Sequence, residues 1–154
     1  MMNPDTLFSI SSTLVLPGWL LLALAPRWKW TTGLITPILI PGILGVLYSI
    51  LLLSNWGAGE GGFGSLSDVA LLFSTPEVLL AGWIHYLAFD LLVGTWIVRN
   101  ATALGIPHLW VIPCLFLTFW AGPMGYVLYL AIRFGLKRTL LLPEVAAMSP
   151  EAAP

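Results

Sequence analysis

Apolar residues run almost unbroken through four stretches of the chain, near 5–26, 34–54, 77–98 and 107–133, with proline, glycine and charged residues gathered between them. A bilayer with a hydrocarbon core of ~30 Å is crossed by about 20 helical residues. Each stretch meets that length, so the pattern predicts an all-α polytopic membrane protein, four transmembrane helices in a single domain over 1–138. Residues 139–154, with Pro143, Glu144, Pro150 and several alanines, predict a weakly ordered tail.

The punctuation refines these elements. Asn3 is placed to cap the first span with Pro4 at its first helical position, and Pro26 ends it before the basic, tryptophan-rich turn Arg27-Trp28-Lys29-Trp30. Pro37 and Pro41 each remove a backbone donor and predict a kink in the first turns of the second span. A glycine-rich loop follows over 57–64. Leu66, Val69, Ala70 and Phe73 then recur with helical spacing, which predicts a short helix over 66–74 lying in the membrane interface, as a connector or a lid. The loop lacks the Lys-Ser/Thr that a phosphate-cradling loop requires. Thr75 is the expected cap of the third span, with Glu77 near its positive end. The fourth span opens with Pro107 and is interrupted by Pro113 and by Gly122-Pro123-Met124-Gly125.

Composition agrees with the pattern. The chain is 58% hydrophobic and 8% charged, against roughly 25% charged in soluble domains, and its mean hydropathy is +0.94. Six basic against seven acidic residues leave no basic footprint for nucleic acid. One cysteine, Cys114, and two histidines cannot assemble a zinc or iron–sulfur spacing, so no metal is expected. Met1-Met2-Asn3-Pro4-Asp5 lacks the positive start of a secretory signal. The chain is therefore expected in a bacterial membrane, or in an organelle membrane if a targeting segment precedes it. Four crossings would put Arg27, Lys29 and Arg99 on one side and Arg133, Lys137 and Arg138 on the other, a balance from which the positive-inside rule predicts no orientation.

The candidate chemistry lies in the third span. An ionisable side chain at the centre of a membrane helix costs at least ~2.5–3.5 kcal/mol, so Asp90 requires a partner, a wet cavity or a proton. Gly82, Tyr86, Asp90 and Gly94 recur every four residues and form one stripe, the small residues allowing close approach of a neighbouring helix. Tyr86 is one turn from Asp90, whereas His85 is rotated away from it, so coupling of His85 to Asp90 would pass through water or a ligand. On the fourth span Cys114, Thr118, Gly122, Gly125, Tyr129 and Arg133 share a face. Antiparallel packing of the two spans predicts Asp90 at the depth of Thr118 to Gly122 and His85 near Tyr126. His108 falls at the start of the fourth span, roughly 20 Å in depth from His85 at 1.5 Å per residue.

The strings Trp83-Ile84-His85-Tyr86-Leu87-Ala88-Phe89-Asp90, Ile106-Pro107-His108-Leu109, Ile112-Pro113-Cys114-Leu115 and Gly122-Pro123 resemble the abscisic-acid-deficient-four-like family. The resemblance covers about 61–133. It implies a small integral protein of pigment-bearing membranes associated with neoxanthin synthesis. Opening a 5,6-epoxycarotenoid to an allene is redox-neutral: the epoxide oxygen gains a proton while the neighbouring polyene carbon loses one. An acid and a base suffice, and no cofactor is required. On that implication Asp90 is the proton donor, since burial favours a neutral carboxyl, His85 the base, and Tyr86 an orienting group or second donor. Gly82, Phe89, Thr118, Gly122 and Tyr126 would line the substrate, with His108 as a secondary candidate.

Other readings stand beside this one. Asp90 and His85 also serve as a folding lock if they bond across helices. His108, Arg99 and Asn100 read as interfacial residues, and Arg133, Lys137 and Arg138 as snorkelling ones. The alternative function is a non-catalytic subunit that binds a carotenoid or another hydrophobic pigment, or joins a pigment–protein complex. Either way the expected partners are membrane lipid and a hydrophobic pigment. A small transporter is a weaker alternative, because the two halves show no inverted repeat.

Overall fold

A computed structural model describes residues 3–57 and 60–141. Among the described residues the chain is all helical: α1 (Pro4–Leu24), a π-helical stretch (Thr31–Leu39) running into α2 (Ile40–Ser54), α3 (Leu66–Leu72), α4 (Pro76–Ala103), α5 (His108–Ala121) and α6 (Pro123–Lys137). Three segments are long and apolar enough to cross a membrane: α1, Thr31–Ser54 and α4.

The start of α1 follows the sequence reading, with Asn3 Oδ1 accepting from Asp5 N at 2.9 Å and Pro4 opening the helix. Pro26 and the basic turn end it, and Thr31 Oγ1 donates back to the carbonyl of Ala25 at 2.9 Å. The second segment does not merely kink. In α geometry the Pro37 ring would strike the carbonyl of the preceding turn. Widening that turn to the π form over Thr31–Leu39 relieves the clash. Thr36 Oγ1 donates to the Thr31 carbonyl, five residues back, at 2.8 Å, and Thr95 Oγ1 of α4 donates to Thr36 Oγ1 at 2.8 Å. The widened turn is thereby tied to the centre of the fold.

That centre is α4, whose 28 residues reach about 42 Å at 1.5 Å per residue. Leu80, Ile84, Leu87, Leu91, Ile97 and Val98 are buried along it, against α1 on one side and α2 on another. Two glycines set the approach of α1. A Cβ on Gly18 would fall 3.0 Å from Ile40 and 3.1 Å from Leu91, and one on Gly94 would fall 2.8 Å from the Trp19 ring. Trp83 Nε1 also donates to Ser12 Oγ at 3.0 Å. Residue numbers rise together along these contacts, so α1 and α4 are parallel and α2, with Thr36 at Thr95 and Tyr48 at His85, is antiparallel to both. Helix α3 begins on Ser65, whose hydroxyl accepts from Asp68 N at 3.1 Å, and joins the ends of α2 and α4. Thr75 occupies the N-cap position of α4, but its side chain makes no capping bond, because Pro76 already supplies a first turn without a free donor.

The fourth expected span, 107–133, is not one helix. Gly122 adopts φ 46° and ψ −101°, a conformation that side chains with a Cβ rarely adopt, and the chain reverses there. A Cβ on Gly125 would overlap Thr118 and the carbonyl of Cys114, so α6 lies back along α5. On α4, Tyr86 meets Phe119, Asp90 meets Gly122, Trp96 meets Tyr126, and Asn100 meets Tyr129. Thus α5 descends along α4 to its midpoint, and α6 climbs back to the end from which α5 started. The face expected to hold Cys114, Thr118, Gly122, Gly125, Tyr129 and Arg133 is real, but it is folded onto itself and buried. His85 consequently does not approach Tyr126. The glycine-rich loop is described except at residues 58 and 59, and of the expected tail only 139–141 fall within the described residues.

The glycine contact gives the fold a direct test. Gly125→Val inserts a branched side chain into the Thr118 backbone and is expected to cost about 1–3 kcal/mol of stability, read as a lowered thermal unfolding midpoint in detergent. A midpoint equal to that of the wild type would mean that α6 does not lie on α5.

Candidate functional site

Asp90 sits half-buried in the middle of α4, where the α5–α6 hairpin turns. Its Oδ1 lies 2.9 Å from the position a Gly122 Cβ would take, and its buried Oδ2 has no hydrogen-bond partner. Gly122 caps the N-terminus of α6 and Pro123 opens it, so the carboxyl meets the positive end of a helix that begins inside the bundle. Tyr86, one turn earlier, sends its hydroxyl to the carbonyl of Phe119 at 3.4 Å. That carbonyl belongs to the last turn of α5, where backbone acceptors lose their intrahelical partners. Tyr86 and Asp90 therefore attend the two broken helix ends of one hairpin tip.

His85 is not part of that pair. It is exposed on another face of α4, stacked on Phe89 with ring centroids 4.4 Å apart and tilted against Tyr48 at 5.8 Å. It lines a cavity of about 540 Å³ with Tyr48, Leu51, Asn55, Phe63, Phe73 and Gly82, beneath the glycine-rich loop and α3. A shallow open groove of about 420 Å³, lined by Phe73, Leu79, Gly82, Trp83 and Tyr86, lies on the other side of Phe73. The Phe73 ring is the partition between them. It rests on Gly82, where a Cβ would fall 3.2 Å from Cζ and closer still to Cε1. The loop folds over α3 at Gly61, which has φ 96° and whose neighbour Gly62 donates to the Asp68 carbonyl at 3.2 Å.

The other expected site residues separate by role. Gly82 and Gly122 are at the cavity wall and the hairpin tip, and Phe89 is the exposed stacking partner of His85. Thr118 is fully buried and donates to the Cys114 carbonyl at 2.8 Å, a bond internal to α5. Tyr126 packs on Trp96 with centroids 5.5 Å apart, away from the cavity and the groove. His108 shares a 3.0 Å bond between Nε2 and the Ala23 carbonyl, fastening the start of α5 to the end of α1. Asn100 is buried rather than an interfacial anchor and accepts from the Tyr129 hydroxyl at 2.6 Å. Arg133 does not snorkel: it is 1% exposed, and its guanidinium donates to the Leu141 carbonyl. Among the described residues no three His, Cys, Asp or Glu side chains converge on one point.

Sequence reading missed Tyr48, Phe73 and Trp83. Phe73 carried a signal, since it closes the apolar face of the 66–74 segment, but nothing in the sequence named Gly82 as its seat.

A family model described as ABA DEFICIENT 4-like matches residues 6–129. The chain belongs to this family. The match takes in α1 and α2 as well as the motif-bearing α4 and α5, and ends inside α6. The chain is also similar to the protein ABA DEFICIENT 4, chloroplastic, of Arabidopsis thaliana, with 32% identity over 95 residues, 56% of this chain and 43% of that relative. The chain thus spans less than half the length of that curated relative. No solved structure matches.

The Phe73 contact yields a prediction. Gly82→Val leaves no room for the ring, so α3 must lift from α4, at a cost of about 1–3 kcal/mol. Limited proteolysis is expected to cut faster between residues 60 and 75 than in the wild type. Equal protection would show that Phe73 is not held on Gly82.

Proposed function

We propose that this chain is a neoxanthin-synthase-like isomerase of a xanthophyll epoxide, with Asp90 as the acid–base group and Tyr86, one turn away, as an orienting group or second donor. The observation that carries the reading is the buried, unpartnered Oδ2 of Asp90 at the hairpin tip. A carboxyl oxygen without a partner in a low-dielectric setting is costly, and a site that gives or takes a proton uses such a group directly. Opening a 5,6-epoxide breaks one carbon–oxygen bond, delivers a proton to that oxygen and removes one from the adjacent polyene carbon. Atoms and electrons balance without an external oxidant or reductant, so the chain's own protonatable groups are sufficient.

His85 takes a different part from the base assigned to it on sequence grounds. On the far side of Phe73 from Tyr86, with Tyr48, Phe89 and an apolar wall, it suits the recognition of an oxygenated end ring, its imidazole offering the hydrogen bond and Phe89 and Tyr48 the flat apolar surfaces. The reacting ring would reach Tyr86 past Phe73 and Gly82. The chloroplastic relative and the apolar helices favour a plastid membrane over a bacterial one.

A second reading has its own supporting observation. Tyr86 and Asp90 both face the broken helix ends at the hairpin tip, where a structural role is sufficient, and His85 stands apart from them. On that reading the chain binds a carotenoid without converting it, alone or within a pigment–protein complex.

Pigment analysis of a host that accumulates violaxanthin separates the two. Asp90→Asn preserves shape and removes the proton, and is expected to lower allenic product by about 10²–10⁴-fold, the usual contribution of a positioned acid or base, with pigment co-purification retained. Co-purified pigment with no conversion by the intact chain would leave the binding role and remove the enzymatic one.

A further inference from the structure

Because α5 and α6 fold back on one another, the termini of α1, α4 and α6 all finish at the same end of the bundle. Arg27 and Lys29 lie in the turn after α1, Arg99 one turn before the last of α4, Arg133 and Lys137 toward the end of α6, and Arg138 at its C-cap. These six are all the lysines and arginines of the chain. The opposite end carries Asp5, Glu60, Asp68 and Glu77, at the starts of α1 and α4 and in the loop and helix between α2 and α4. The balanced distribution of cations expected from four crossings is replaced by one in which all six stand at the same end.

We infer that the end bearing these cations faces the compartment from which the chain inserts and the headgroups of that leaflet, and that the His85 cavity lies in the opposite leaflet. Lysine and arginine near the ends of membrane helices are retained on the insertion side, and the five exposed ones, Arg27, Lys29, Arg99, Lys137 and Arg138, are attracted to the anionic lipid of that surface, Arg133 being buried. The segregation leaves no competing signal at the other end. Loop residues Asn55, Trp56, Gly61, Gly62 and Phe63 roof the cavity at that acidic end, with α3 beside them. An apolar ligand that enters it must therefore be taken from the leaflet distal to the cations. This last step rests on the proposed role of the cavity, whereas the orientation does not.

Cysteine labelling in oriented membranes tests the inference on the full chain. Cys114 is buried, and Cys114→Ala supplies the background. Single cysteines are then introduced at Phe63→Cys and Ser67→Cys on the acidic end, and at Trp28→Cys and Leu140→Cys on the basic end, all of them exposed positions that leave the six cations in place. The chain is expressed in a bacterial inner membrane, and right-side-out and inverted vesicles are exposed to a membrane-impermeant maleimide. Labelling after detergent permeabilisation verifies that each thiol is reactive. Phe63→Cys and Ser67→Cys are expected to label in right-side-out vesicles, and Trp28→Cys and Leu140→Cys in inverted ones. Labelling of Trp28→Cys and Leu140→Cys from opposite sides would overturn the hairpin and with it the segregation. Labelling of both from the outer side would overturn the orientation. Neither result depends on pigment or turnover, so failure here is distinguishable from failure of the isomerase reading.

Discussion

A polypeptide that stops and reverses inside a hydrocarbon layer must satisfy its own backbone, because no water is there to do it. This constraint bears most heavily on Gly122. Its backbone turn ends α5 and starts α6 beside the middle of α4, leaving carbonyls of one helix and amides of the other without their usual partners. The local answers are visible: Gly122 N donates to the Thr118 carbonyl at 2.9 Å, Gly125 N to the Gly122 carbonyl at 3.2 Å, and the Tyr86 hydroxyl to Phe119. The missing Cβ at Gly125 lets the arms close, and the Asp90 carboxyl meets the N-terminus of α6. Remove the reversal and the polar stripe of α4 loses what it faces.

The same device resolves why polar side chains crowd one region of a very apolar chain. Asn100 and Tyr129 pair with each other in the upper part of the hairpin, and Thr95 and Thr36 pair across α4 and the widened turn. Each pair removes a donor and an acceptor from hydrocarbon at once, which is what makes such groups tolerable there. Asp90 Oδ2 and Arg133 Nε stand apart from these pairs, since each is buried without a partner. A carboxyl that served packing alone would gain from closing that valence, which is why the proposed acid–base role rests on Asp90.

Much of this was legible in the sequence, and the boundary is instructive. The apolar runs gave the long helices and most of their ends, Asn3 caps as expected whereas Thr75 makes no capping bond, and the four-residue spacing of Gly82, Tyr86, Asp90 and Gly94 marked the face that meets other elements. The Asp90–Gly122 approach followed from matching depths. What periodicity could not decide was whether Gly122-Pro123 bends a helix or reverses it, because both outcomes use the same residues and the same face. That one ambiguity moved Tyr126 away from His85, buried Arg133, and changed the side on which the last three cations emerge. The grouping of His85 with Tyr48 and Phe73 likewise depends on contacts between distant elements that no local pattern encodes.

The hairpin also makes the molecule uneven along the membrane normal. At the basic end five helical segments stand side by side, whereas below the Gly122 tip only α1, α2 and α4 continue, with short α3 at their margin. The protein is a wedge. A fluid bilayer leaves no empty volume, so acyl chains must fill the space beneath the tip and come into contact with the lower half of α4. A slender apolar solute travelling in that leaflet therefore encounters Trp83, Tyr86 and Phe89 by lateral diffusion, without a channel or an opening to water.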